Sequence, residues 1–171
     1  MFFSHEFIES AISDLPENEL LIKVHYSSLN YKDALSSLGN KGVTRKYPHT
    51  PGIDAAGEIV KSSHAAFKIG DKVIVTGHDL GMNTAGGFSE YISVPANWAV
   101  HLPNNLTLQE SMAIGTAGLT AAMCIDKLIK GGTTSGKILV SGATGGVGSL
   151  AIMILNKLGF EPIALSRKES A

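Results

Sequence analysis

The feature that most restricts the fold lies near the C-terminal end, where an apolar run, a glycine cluster, a helical period and a second apolar run follow one another. Lys137-Ile138-Leu139-Val140-Ser141 is short, β-branched and apolar, the composition of a buried parallel strand. Val147, Leu150, Ala151, Ile154, Leu155 and Leu158 then fall on one face of a helix of about three turns. Gly159 stands where a helix stop belongs, and Ile163-Ala164-Leu165 begins a second strand. Strand, turn, helix, strand is a βαβ unit, which requires a parallel sheet. Two strands are too few for a complete doubly wound sheet, so the chain reads as cut.

The turn itself is Gly142-Ala143-Thr144-Gly145-Gly146-Val147-Gly148. A pyrophosphate docks on backbone N–H groups at a helix N-terminus, where the helix dipole also favours negative charge and a Cβ would obstruct the approach. Gly145 fits the close-approach position, and Gly148 the position where helix packs on strand. Ala143 takes the first glycine slot of the usual fingerprint, giving an A-x-G-x-x-G variant. Thr144, Gly145, Gly146, Val147 and Gly148 are thus candidate cofactor-binding residues, against the alternative of a glycine-rich turn that binds nothing. The second strand ends in Ser166-Arg167-Lys168, without the carboxylate that holds the ribose hydroxyls of NAD. A hydroxyl, a guanidinium and an ammonium suit the 2′-phosphate of NADPH through charge-assisted hydrogen bonds; the other reading is a solvated turn.

Upstream, the period is two rather than nearly four. Leu20 to Tyr26, Ala55 to Val60, Lys72 to Val75, Phe88 to Val94 and Trp98 to Leu102 read as strands separated by glycine and proline, the spacing of a small barrel or sandwich. Asn30 to Leu35 interrupts them as a short helix. After Pro103, Thr107 and Glu110 form a capping box that opens a helical stretch, with Gly115-Thr116 separating a second helix that ends near Lys130.

Composition removes several classes. Fourteen basic against 15 acidic residues give a formal charge of −1, which argues against nucleic acid as a partner. Cys124 is the single cysteine, so neither a disulfide framework nor a multi-cysteine zinc site is available. The longest apolar run, Ala113 to Ile125, is broken by Gly and Thr and falls short of the ~20 residues of a membrane span. The first residues lack the pattern of a secretion signal, which leads us to expect a cytoplasmic protein. Charged residues make up 17% against roughly 25% in typical soluble domains, which suggests burial against another subunit or further chain.

Five ordered segments carry a family resemblance: Ser28-Leu29-Asn30-Tyr31-Lys32-Asp33, Pro51 to Gly57, Gly70-Asp71-Lys72-Val73, Gly115 to Ala121, and the Gly142 to Gly148 turn. Together they resemble the medium-chain dehydrogenase/reductase superfamily in its zinc-free quinone oxidoreductase branch, within it the subgroup that includes acryloyl-CoA reductases. The resemblance implies an α/β fold with a β-barrel part. A GroES-like catalytic domain would occupy residues 1–115, and 116–171 would be the first, incomplete portion of a Rossmann domain. Zinc-dependent relatives place a Cys near Tyr31 and a His-Glu pair where this chain has Ile53-Asp54, and its six histidines show no ligand spacing. No metal is expected.

Without a Lewis acid to polarise an alcohol oxygen, hydride delivery to an electron-poor π-system is the natural chemistry. The resemblance implies NADPH as donor and the β-carbon of an enone or enoyl thioester, or a quinone, as acceptor. It also implies Tyr31 near the nicotinamide, where its hydroxyl would donate to a carbonyl or orient the ring; the alternative is a tyrosine at the core edge capping a helix start. Asp33 is a second catalytic candidate and Lys32 a weaker one, against an ion pair or a solvated helix face. Arg45 would meet an anionic substrate or face water. A homodimer is expected. A reading from another class is a non-catalytic NADPH-binding or redox-sensing module.

Overall fold

The computed structural model describes residues 3–166, and the chain divides into two compact units, Met1–Gly115 and Thr116–Ala171. In the first, five antiparallel strands form one sheet: β1 (Leu20–Tyr26), β2 (Asp54–Ser62), β3 (Lys72–Thr76), β4 (Tyr91–Val94) and β5 (Ala99–His101), in the order β4-β1-β2-β3-β5. Alternation along β1 turns Leu20 and Ile22 into a core shared with Ile59, Val73, Val75, Leu80, Ile92 and Val94. β2 departs from alternation because Asp54 to Gly57 are buried on both faces. Gly57 is required by packing, since a Cβ there would lie 2.0 Å from the Lys23 carbonyl oxygen.

Two strands are shorter than their apolar runs suggest. Gly86, Gly87 and Phe88 donate their N–H groups to the carbonyls of Thr50, Gly52 and Pro51, so the backbone joins β1 only from Glu90, whose carbonyl accepts the Val24 N–H. Trp98 closes a 3₁₀ turn on Pro95 before β5 begins. The short helix α1 spans Tyr31–Ser37.

Helical structure from Leu108 to Lys130 (α2) is interrupted at Gly115, whose φ of 51° and ψ of −163° no helix contains. Its start is the expected box: Thr107 N–H and Oγ1 donate to Glu110 Oε2, and Glu110 N–H donates to Thr107 Oγ1. These bonds, first from the Thr107 backbone and then from its hydroxyl, hold the Glu110 carboxyl below its ordinary pKa. The helix runs five residues beyond the apolar stretch read from sequence, and by length and composition it qualifies as a membrane span, correcting that expectation. The break at Gly115 nonetheless leaves Thr116–Lys130, which at 1.5 Å per residue reaches about 22 Å, short of a ~30 Å hydrocarbon core.

The second unit contains the expected βαβ: β6 (Lys137–Ser141), α3 (Gly146–Lys157) and β7 (Glu161–Leu165), with β6 and β7 parallel and paired Lys137 to Glu161 through Ser141 to Leu165. Gly159 (φ 83°) ends α3: its N–H bonds Asn156 O, and Phe160 N–H bonds Leu155 O. That pairing brings Phe160 onto Leu155, the centre of a small core with Ile125, Ile138, Val140, Ala151 and Ile154. The sequence expectation of a buried strand holds for one face only. Ile138 and Val140 pack inward, while Leu139 is 64% exposed and Ile163 and Leu165 are likewise open. α3 behaves similarly: Ala151, Ile154 and Leu155 pack, whereas Val147 and Leu158 at its ends do not. A parallel strand is buried on both faces only when a second layer covers the sheet.

Candidate active site

Gly142 leaves β6 with φ 63°, a left-handed conformation that reverses the chain. Its carbonyl accepts the Gly145 N–H at 2.9 Å, which tightens the turn and sets Gly145 as the residue before α3. Gly148 sits against the same carbonyl: a Cβ would meet the oxygen at 2.3 Å and the carbon at 2.8 Å. Gly148 is therefore a packing glycine.

Gly145 is different. Its φ of −85° and ψ of 167° suit any residue, and an added Cβ would meet only Gly142 O, at 3.4 Å. Neither strain nor packing within the described residues calls for glycine there. Among the described residues, the N–H groups of Gly146, Val147 and Gly148 donate to no backbone or side-chain acceptor, since the first bond from inside the helix is Ser149 N–H to Gly145 O. Thr144, Gly145, Gly146 and Val147 are exposed, so the head of α3 faces outward. N–H groups left open at a helix head suit an anionic oxygen, and a Cβ on Gly145 would narrow the approach to them. Ser166 is exposed just beyond β7, whose Leu165 carbonyl accepts the Ala143 N–H at 3.4 Å. Arg167 and Lys168 lie outside the described residues.

In the first unit, Tyr31 is the first residue of α1 and 79% exposed, so it is no part of the core edge. Asp33, two residues on, is 3% exposed. Its Oδ1 accepts the N–H groups of Gly52 and Ile53, each at 3.0 Å, and its Oδ2 accepts Asn30 N–H at 2.8 Å. Both oxygens are committed to backbone donors, so Asp33 is a buried tie between α1 and the loop before β2. This corrects the alternatives of an ion pair or a solvated helix face for Asp33. The short sequence distance to Lys32 misled, because burial of the carboxylate is decided by a loop about twenty residues away.

Lys32 and Arg45 border one loop: Lys32 Nζ lies 3.8 Å from Met82 Sδ, and Arg45 N–H donates to Asn83 Oδ1 at 3.3 Å. Both residues are exposed.

Sequence reasoning passed over Asp54. It is fully buried at the head of β2, where Oδ2 accepts the hydroxyl of Ser28 and the amide Nδ2 of Asn30 at 2.9 Å, and Oδ1 accepts Thr76 Oγ1 at 2.9 Å. Its carbonyl accepts Ser27 Oγ at 2.6 Å. The available signal was an acid opening an otherwise apolar run, Ile53-Asp54-Ala55-Ala56. Among the described residues no group of three His, Cys, Asp or Glu side chains is placed to hold a metal.

The chain as a whole is similar to known proteins. Residues 16–104 match the alcohol dehydrogenase GroES-like domain. The acrylyl-CoA reductase AcuI of Ruegeria pomeroyi is 46% identical over 94% of this chain and 50% of its own length. A quinone oxidoreductase of Sus scrofa is 32% identical over 90% and 45%. Among solved structures, YhdH of Escherichia coli K-12 with bound NADPH superposes with a TM-score of 0.91 at 42% identity, covering 95% of this chain and 51% of that one. YhfP of Bacillus subtilis with NAD bound gives 0.85 at 47% identity, covering 91% and 48%. The chain spans about half the length of these relatives. The chain belongs to the alcohol dehydrogenase GroES-like family of the medium-chain dehydrogenases/reductases, and its relatives include proteins named as quinone oxidoreductases and acrylyl-CoA reductases.

Proposed function

We propose that the whole protein is an NADPH-dependent oxidoreductase that reduces an activated C=C bond or a quinone without zinc. The observation that carries this reading is the head of α3, where neither strain nor packing calls for glycine at Gly145 and the N–H groups of Gly146, Val147 and Gly148 donate to no acceptor among the described residues. The relatives support it: YhdH holds NADPH, YhfP holds NAD, and AcuI carries the name of an acrylyl-CoA reductase.

When bound, the dinucleotide supplies the hydride. Gly146, Val147 and Gly148 would fix its pyrophosphate with their N–H groups, Thr144 and Gly145 would border it, and Ser166, Arg167 and Lys168 would hold the 2′-phosphate. Tyr31, exposed at the start of α1, would donate its phenolic hydrogen to the substrate oxygen on which charge grows as the β-carbon is reduced, or align the ring of the cofactor. The burial of Asp33 and the three backbone N–H groups it accepts support a part in securing the helix start beside Tyr31. The exposed cations Lys32 and Arg45 would favour an acceptor with an anionic tail. The open apolar residues of β6 and β7 support burial against further chain or a second subunit, consistent with a cytoplasmic homodimer.

The test is calorimetric titration of the whole protein with NADPH and NADH, followed by kcat/KM on acryloyl-CoA, an enone and a quinone. Tight NADPH binding with turnover of at least one acceptor supports the reading. Binding without NADPH consumption would make the protein a sensing module, and no binding would remove the cofactor from the proposal.

A further inference from the structure

The Asp54 carboxylate is shut away from solvent at the head of β2, yet what it grips is the approach to α1. Oδ2 accepts from Ser28 and Asn30, the third and first residues before Tyr31, and Asn30 Nδ2 also donates to Ser28 Oγ at 3.1 Å. Oδ1 is held by Thr76 on β3, so the carboxylate is itself pinned between two paired strands. The same oxygen, Oδ2, would lie 3.0 Å from a Cβ on Gly115, whose φ of 51° already favours glycine. One rigid acceptor therefore locates the residue from which α1 starts.

We infer that Asp54 is a positioning residue for Tyr31: by holding Ser28 and Asn30 it fixes the backbone from which the Tyr31 side chain projects. This rests on the role proposed for Tyr31 above. An exposed tyrosine on a seven-residue helix has little packing of its own to orient it, so its placement must come from the anchoring of the helix start. Asp33 anchors the same turn from the other side through Asn30 N–H. What the site needs from Asp54 is acceptor geometry toward Ser28 and Asn30. An asparagine retains it, because its oxygen can face those donors while its NH₂ donates to the Thr76 hydroxyl, which turns to accept.

The experiment is a double-mutant cycle on the whole protein. Asp54→Ala is expected to lower kcat/KM about tenfold or more, as misplacement of a contacting group does. In the Tyr31→Phe background the same substitution is expected to change it less than about twofold, because the effect runs through the tyrosine. Asp54→Asn is expected to restore most of the turnover. Without cofactor, Asp54→Ala is also expected to shift the Tyr31 ring resonances and speed exchange of the Asn30 backbone N–H, while Asp54→Asn leaves both near their original values. Should Asp54→Ala fail to fold, Asn30→Ala cuts the same link and takes its place in the cycle. Equal losses in both backgrounds, unmoved Tyr31 resonances, or Asp54→Asn as damaging as Asp54→Ala would each overturn the inference. A Tyr31→Phe variant with undiminished turnover would sink the role of Tyr31 alone, leaving the resonance measurement to decide whether Asp54 places it.

Discussion

Gly148 lies so close to Gly142 that a Cβ on the former would fall 2.3 Å from the carbonyl oxygen of the latter, whereas Gly145 in the same turn meets that oxygen at 3.4 Å. Two glycines three residues apart thus answer to different demands. Gly148→Ala is expected to destabilise the second unit by about 1–3 kcal/mol, the cost of overpacking, and to lower the thermal midpoint with or without cofactor. Gly145→Ala is expected to leave the midpoint of the unliganded protein nearly unchanged and to weaken NADPH in titration. A Gly145→Ala protein that binds NADPH as tightly as the original would show that nothing docks on this turn.

Asp33 offers a test of structure against catalysis. Its carboxylate satisfies three backbone N–H groups, so Asp33→Ala leaves buried donors unpaired, at about 1–3 kcal/mol each. Urea denaturation is expected to show a loss of that order or larger, with Asp33→Asn intermediate. Stability kept in Asp33→Asn while turnover vanishes would instead place Asp33 among the catalytic groups.

The 2′-phosphate reading concerns Arg167 and Lys168. Removal of a guanidinium that pairs with a phosphate costs about 1.5–3 kcal/mol, so Arg167→Ala is expected to weaken NADPH at least tenfold and NADH by much less. Parallel loss for both nucleotides would place Arg167 elsewhere.

Glu110 gives a pH dependence of known sign. Its folded pKa lies below the ordinary value, so its contribution to capping α2 is present in full above the unfolded value and fades as pH falls through the folded one. Thermal midpoints of the original protein and Glu110→Gln, followed from neutral pH into acid, are expected to converge as pH falls below the ordinary carboxylate range. A gap that stays constant would mean the carboxylate charge is not what caps the helix.

Much of this was legible in the chain. The period-two runs, the Thr107–Glu110 box, the break at Gly115 and the βαβ with its Gly159 stop are local patterns, and local backbone chemistry forms them. The glycine turn was legible as a candidate site for the same reason, since its donors and missing Cβ atoms lie within seven consecutive residues. Less legible were the places where distant segments meet. Phe88 reads as the start of a strand but bonds Pro51, and Asp33 reads as a surface acid but is buried against Gly52 and Ile53.

By itself, then, the sequence determined the elements, their order and the glycine turn proposed here to take a dinucleotide, because hydrogen bonds between near neighbours and hydrophobic period shape those. Which glycine packs and which stays open, which acid is spent on backbone donors, and that Asp54 grips the approach to Tyr31 were decided only in three dimensions. Burial depends on what arrives from far along the chain, and a carboxylate is free or committed according to the donors that surround it.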